Sequence, residues 1–359
     1  MTRRTPSPLP SQRRATTRGS SPITRSTTRT RNALVLQGGG ALGAYQAGVY
    51  EALSQHPEQP HWIVGVSIGA INAALIAGNP PEQRVARLRE FWQQVSSAPA
   101  QRLPTWLGSR EQLNQWSASG AALAGIPGFF EPRPAGVLFQ GTAARVPSVY
   151  DTAPLSATLE RLVDFDRINA REMHFAVGAV NVRSGNSVYF DNWNQKIGPE
   201  HVMASGALPP GFPPVHIDGE DYWDGGVVSN TPLQYVLDNH LRDQRLLALQ
   251  VDLFSARGAM PENLAEVIER QKDITYSSRT RMNTDMLASN LNLQQALLDL
   301  MGKLPPALQR DPSAQAIRAR LQCEPIDIIH LIYRNKPYEL ESKDYDFSRA
   351  AVEEHWEAG

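Results

Sequence analysis

Three things are scarce in this chain, and each absence excludes something. A single cysteine, Cys323, among 359 residues rules out an internal disulfide, so nothing depends on an oxidising compartment. Cys323 then reads as a small apolar filler rather than a nucleophile. No apolar run approaches the ~18 residues of a membrane span, so any meeting with a lipid surface is peripheral. Acidic side chains are missing altogether from residues 1–31, which carry Arg3, Arg4, Arg13, Arg14, Arg18, Arg25, Arg29 and Arg31.

Removing those eight charges takes the net charge from -1 to -9 for the remainder. The leading stretch is rich in Ser, Thr and Pro and too poor in apolar residues to offset its ordering entropy, so it is expected to be a disordered tail. It lacks the apolar segment of a secretory signal. Its acid-free composition overlaps with transit peptides and would give a weak grip on anionic lipid. Cytoplasmic residence with peripheral membrane contact is expected, and nothing points to nucleic acid.

The rest is 41% hydrophobic over the whole chain, enough for one large α/β domain or two smaller ones. Strand-like runs at Ala33–Leu36, Trp62–Val64, Met173–Val182 and Leu246–Phe254 alternate with helical patterns at 44–53, 70–77, Glu82–Val95 and Pro232–His240. Such alternation implies a mostly parallel sheet covered on both faces. Two hairpins are expected, turning at 183–186 and 218–221. Ala98 to Pro147 breaks into Pro- and Gly-punctuated apolar pieces, including Gly128-Phe129-Phe130, which read either as a cap lining a pocket or as an irregular packed layer. From Pro261 the chain reads as helical to Leu321, then as a strand at Ile326–Tyr333, and Ser342–Gly359 reads as a helix or tail packed on the surface.

Two glycine-marked turns follow one another where strands hand over to helices. The first, Gly38-Gly39-Gly40-Ala41-Leu42-Gly43, satisfies a dinucleotide-binding pattern. That reading needs an acid at the end of the next strand to hold a ribose, and the chain there is Trp62-Ile63-Val64-Gly65-Val66-Ser67-Ile68-Gly69. This second turn instead satisfies Gly-x-Ser-x-Gly, in which small neighbours let a serine stand clear of strand and helix. Consecutive glycines in the first turn would bring N–H groups, Gly39 and Gly40 foremost, to the oxygen of a tetrahedral intermediate. Gly43 reads as close helix packing. For a base, Ser67, Asp224 and His330 stand in the chain order of a hydrolase triad, but only one strand precedes Ser67, against several in α/β-hydrolases, and His330 lies within an apolar run.

Four blocks in order make the pattern more specific: Gly38 to Val49, Gly65 to Ala73, Ala204 to Val215 and Asp224-Gly225-Gly226 with Asn230-Thr231-Pro232-Leu233. Here the chain resembles the patatin-like phospholipases, or lipid acyl hydrolases. The resemblance implies a three-layer α/β/α fold with a mostly parallel sheet and a Ser–Asp dyad: Ser67 as nucleophile, Asp224 as its base, and the N–H groups of Gly38, Gly39 and Gly40 as oxyanion hole. No metal or organic cofactor is implied. Where many relatives have Arg or Lys this chain has Leu42, and Gln37 replaces an acid or Arg, so acyl esters in general are firmer as substrates than phospholipids. From about Arg245 onward, and especially around Ser342 to Ser348, the likeness is to a C-terminal extension of a bacterial subset.

The expected organisation is a tail at 1–31, a catalytic domain at 32–244 and an extension at 245–359 packed on it. The expected activity is hydrolysis of lipid carboxylic esters through an acyl-serine. The competing classes are a nucleotide-binding oxidoreductase and a lipid-binding protein with an idle elbow. Oligomeric state is not legible.

Overall fold

In an extended strand successive side chains face opposite ways, and here both faces are apolar. Ala33, Val35, Trp62, Val64, Ala176, Leu246 and Ala248 pack into one core, while their neighbours Leu34, Leu36, Ile63, Phe175, Val177, Leu249 and Val251 pack into another. Two cores on two faces of one sheet make a three-layer α/β/α architecture. The computed structural model describes residues 30–97, 123–134, 148–321, 324–334 and 343–359, without the side chains of 265, 278–281 and 283. The arginine tail up to residue 29, Cys323 and most of the loosely patterned stretch 98–147 lie outside these residues.

The strands are β1 (Arg31–Leu36), β2 (Trp62–Val66), β3 (Glu131–Pro132), β4 (Tyr150–Asp151), β5 (His174–Asn181), β6 (Ser187–Asp191), β7 (Val215–Ile217), β8 (Glu220–Asp224), β9 (Leu246–Asp252) and β10 (Ile326–Ile332). The main sheet runs β10-β9-β1-β2-β5-β8-β7, with β6 also on β5; β3 and β4 form a separate pair. The first five of that order are parallel, and β6, β7 and β8 pair antiparallel. Both expected hairpins form.

Helices α1 (Gly43–Ser54), α2 (Ile68–Ala77), α3 (Pro81–Val95), α4 (Ala153–Leu162), α5 (Phe165–Asn169) and α6 (Pro199–Ser205) supply the larger core, and α7 (Leu233–Asn239) covers the other face. Further α-helices among the described residues are α8 (Leu264–Gly302), α9 (Pro306–Gln309), α10 (Pro312–Leu321) and α11 (Arg349–Ala358). No described helix is long and apolar enough to cross a membrane.

One detail of the pairing sets up the site. Residues Ala176–Val180 of β5 are paired on one edge by β6. On the other edge β2 pairs His174–Gly178, and where β2 stops β8 takes over at Ala179–Asn181, running the opposite way. The end of β2 therefore meets the end of β8 head on, and Ser67 and Asp224 are the residues at those two ends.

Residues after 244 complete this sheet rather than stand apart from it, since β9 is hydrogen-bonded along the whole of β1 and β10 along β9. The end of the chain is a helix packed on the catalytic domain, as expected, with one face buried. Lys343, Phe347, Val352, His355 and Trp356 are buried, and α11 packs on α1 with the Trp356 indole donating to Glu51. The apolar spacing of Ala351, Val352 and Trp356 is short and set among glutamates, which hides it in the sequence.

Arg31, counted with the tail from its composition, is the first residue of β1. Its guanidinium lies 4.4 Å from the Trp62 ring centre and 2.6 Å from His174 Nδ1, while His174 Nε2 is 2.7 Å from Asp191. Nδ1 accepts from a cation, so the imidazole is neutral. Burial lowers the His174 pKa, with Arg31 adding to the effect and Asp191 opposing it. A depressed histidine pKa gives stability that is present above the unfolded value, ordinarily 6.5, and lost as pH falls through the folded one. His174→Gln should thus destabilise the protein in urea at pH 8, and its deficit relative to the unmodified chain should shrink at pH 5. A deficit independent of pH would contradict this.

Candidate active site

The elbow carrying Ser67 is built by close approach. A Cβ at Gly65 would lie 2.2 Å from the Gly69 carbonyl oxygen, and one at Gly69 would lie 2.4 Å from that of Leu36, so neither position has room for a side chain. Ser67 itself adopts φ 56 and ψ -126, a conformation L-residues rarely take, which presents its hydroxyl at the head of α2. The backbone is held there by Ser205, whose carbonyl and hydroxyl oxygens both accept the Ser67 N–H at 3.0 and 3.2 Å. Ser205 Oγ in turn donates to the Gly178 carbonyl at 2.6 Å.

Asp224 closes the other end of the gap. Its N–H donates to the Ala207 carbonyl at 3.0 Å and its carboxylate accepts the Gly226 N–H at 2.7 Å, while Ser67 lines the same cavity. The side chain is 1% exposed. Burial pushes its pKa up to about 6, while the Gly226 N–H and the Ser67 side chain act the other way, toward the ionised form. A carboxylate at that value is ionised at neutral pH yet much more basic than an ordinary aspartate.

The glycine loop abuts the serine: a Cβ on Gly38 would stand 2.9 Å from Ser67 Cβ. Its three N–H groups are not equivalent. That of Gly38 donates to the Asn230 carbonyl at 3.1 Å, while Asn230 Nδ2 donates back to the Gly38 carbonyl at 2.8 Å. The N–H groups of Gly39 and Gly40 have no protein acceptor among the described residues. Of the three expected oxyanion donors, Gly38 is thus spent on holding the loop. Ala41 N–H, which a pyrophosphate at this helix entry would use, is engaged by the Asp344 carbonyl at 2.8 Å.

Several residues without assigned roles in the sequence hold this loop. Gln37 is fully buried and donates through Nε2 to Thr231 Oγ1 at 2.9 Å and to the Tyr276 carbonyl at 3.2 Å, while its Oε1 accepts the N–H groups of Leu253 and Phe254. Its carbonyl accepts Gln46 Nε2 at 2.6 Å, Gln46 Oε1 accepts Asn72 Nδ2 at 3.0 Å, and Asn72 Oδ1 accepts the Trp92 indole at 3.1 Å. Their only sequence signal is polarity at positions of otherwise apolar pattern. Leu42 is fully buried and offers nothing to a ligand, and Gly43 packs against Ile68.

Ser67, Asp224 and the three glycines open on one cavity of about 690 Å³. Part of its wall is an aromatic cluster: Phe129, Phe130, Tyr150 and Phe212 pack together at ring separations of 4.6 to 6.1 Å, and Phe254 and Phe347 also line the cavity. The described part of the Ala98–Pro147 stretch therefore lines a pocket. His330 does not reach it: it lies on β10, three strands from β2, with Nδ1 3.1 Å from Asp252. Among the described residues no three His, Cys, Asp or Glu side chains converge as a metal would require.

A search of curated proteins found no match. Among solved structures, VipD from Legionella pneumophila is similar at 14% identity over 90% of this chain and 67% of VipD, with a TM-score of 0.37. ExoU in complex with SpcU from Pseudomonas aeruginosa is similar at 16% identity over 89% of this chain and 70% of that one, with a TM-score of 0.29. Both likenesses are loose. The family is settled by sequence models: one described as Patatin-like phospholipase matches residues 34–237, and one described as Patatin phospholipase matches residues 274–359. The first spans the elbow, the glycine loop and Asp224 together, and on that match the chain belongs to the patatin-like phospholipase family.

Proposed function

We propose that the protein is a serine lipid acyl hydrolase that cleaves carboxylic esters with Ser67 as nucleophile and Asp224 as its base. The observation that carries the reading is the placement of Ser67 and a buried carboxylate of raised pKa, Asp224, at the facing ends of β2 and β8, beside two unengaged glycine N–H groups on one apolar cavity. Ser67 Oγ attacks the carbonyl carbon while its proton passes to Asp224, and the oxygen that gains charge is held by the N–H groups of Gly39 and Gly40. The intermediate collapses by breaking the bond to the alcohol, which leaves with the proton from Asp224. The acyl-serine is then attacked by water, whose proton goes to Asp224 and returns to Ser67 Oγ as the acid is released.

The aromatic lining suits an acyl chain, since burial of apolar surface drives its entry. Histidine has no part in the scheme. Purified protein should turn over short-chain nitrophenyl esters, and His330→Ala should retain that rate. Absence of turnover by the folded protein would count against the hydrolase, and a folded but inactive His330→Ala variant would point to a triad.

A further inference from the structure

The glycine loop is fixed from outside the four sequence blocks. The Asp344 carbonyl that accepts the Ala41 N–H sits where a side chain on Gly40 would be, 2.1 Å from the place of its Cβ, and Gly40 accommodates it at φ +54. The segment 343–347 that supplies this carbonyl also supplies Asp344, Tyr345 and Phe347 to the cavity wall.

This segment is fastened to α8 by ion pairs that cross. Lys343 points from the segment into the helix, with its Nζ 3.0 Å from Glu269 and 2.7 Å from Asp273, and its side chain is 0% exposed. Lys272 points from the helix into the segment, with its Nζ 2.7 Å from Asp344 Oδ1 and 5.0 Å from the Tyr345 ring centre. Burying such charges costs nearly what their attraction returns, so pairs of this kind fix geometry more than they add stability. The same helix also reaches the loop directly, where the Tyr276 carbonyl accepts Gln37 Nε2.

We propose that Lys272, Lys343 and Asp344 are positioning residues of the active site: their crossed ion pairs latch the segment 343–347 to α8, and the latched segment holds the glycine loop in register with Ser67. The inference rests on the hydrolase reading, because register matters only if the loop binds an oxyanion. Loss of a whole oxyanion donor lowers kcat by ~10² to 10³, so a displaced loop should lower it by at least about tenfold.

The test is steady-state hydrolysis of a nitrophenyl ester by the full chain and its Lys272→Met and Lys272→Arg variants, alongside Ser67→Ala and thermal unfolding. Lys272 is the residue of choice because it is partly exposed and its stem is kept by methionine. The expected result is a folded Lys272→Met protein whose kcat falls at least about tenfold with little change in KM, and recovery of most of that loss in Lys272→Arg. If the methionine variant does not fold, Asp344→Asn, which keeps every backbone atom, should show the same fall in kcat. Unchanged kcat in a folded Lys272→Met or Asp344→Asn variant, with Ser67-dependent turnover in the unmodified protein, overturns the latch and leaves the hydrolase standing. Turnover that Ser67→Ala does not remove overturns both.

Discussion

Replacing Ser67 by alanine is expected to abolish ester hydrolysis, lowering kcat by roughly four orders of magnitude or more while the protein stays folded. The hydroxyl is the only part of Ser67 that the proposed chemistry uses. The N–H that Ser205 holds, the elbow conformation and the packing of Gly65 against Gly69 are all kept by alanine. Removing the hydroxyl also removes one of the two influences that oppose the upward shift of the Asp224 pKa, so this group should titrate still higher in the variant. Circular dichroism and calorimetry on the variant separate lost chemistry from lost structure. Residual turnover near the unmodified rate would mean that another residue is the nucleophile.

Asp224→Asn carries the second large expectation, and here activity and stability should move in opposite directions. Asparagine accepts the same Gly226 N–H but takes up no proton, so kcat should fall by about 10³ to 10⁴, the usual contribution of a positioned base. The ionised carboxylate is meanwhile a burden on the fold. A native pKa of about 6 against 3.8 in the unfolded chain destabilises the native state by as much as ~3 kcal/mol at neutral pH. The sign follows from the shift: the folded state binds the proton more tightly, so the penalty is fully present above pH 6 and is relieved as pH falls toward 3.8. Asp224→Asn should therefore unfold at higher urea concentration than the unmodified protein at pH 8, with the difference narrowing below pH 6. In the unmodified enzyme the same titration should appear as an acid limb in kcat/KM near pH 6, active on the alkaline side. A variant that is inactive and less stable at pH 8 would identify Asp224 as a structural residue instead.

The parts of this site that were legible in the sequence are those written locally. Glycines two residues either side of Ser67 signal a tight turn, and the apolar runs around β1, β2 and β9 are long enough to betray strands buried on both faces. Pairing partners were not legible, because a period of two says which residues share a face and nothing about which strand lies alongside. The meeting of Ser67 with Asp224 depends on β2 and β8 sharing one edge of β5 across more than a hundred residues. For the same reason the supports were missed. Ser205, Gln37 and Asn230 look like ordinary polar residues until their partners arrive from distant segments, and the contact between Ala41 and Asp344 joins two ends of the chain with no local trace. Gly39 and Gly40 stood foremost among the donors in the sequence already, but that Gly38 is engaged could be read only once Asn230 was in place.

The dyad is tested most directly by mass spectrometry of the protein after brief exposure to a fluorophosphonate. Such a probe reports nucleophile, base and oxyanion site together, since it reacts quickly only with a serine that all three have activated. The expected result is one adduct, mapped to Ser67, formed quickly by the unmodified protein and far more slowly by Asp224→Asn. An adduct on another serine, or labelling of Ser67 at the same rate in both proteins, would contradict a Ser67–Asp224 dyad.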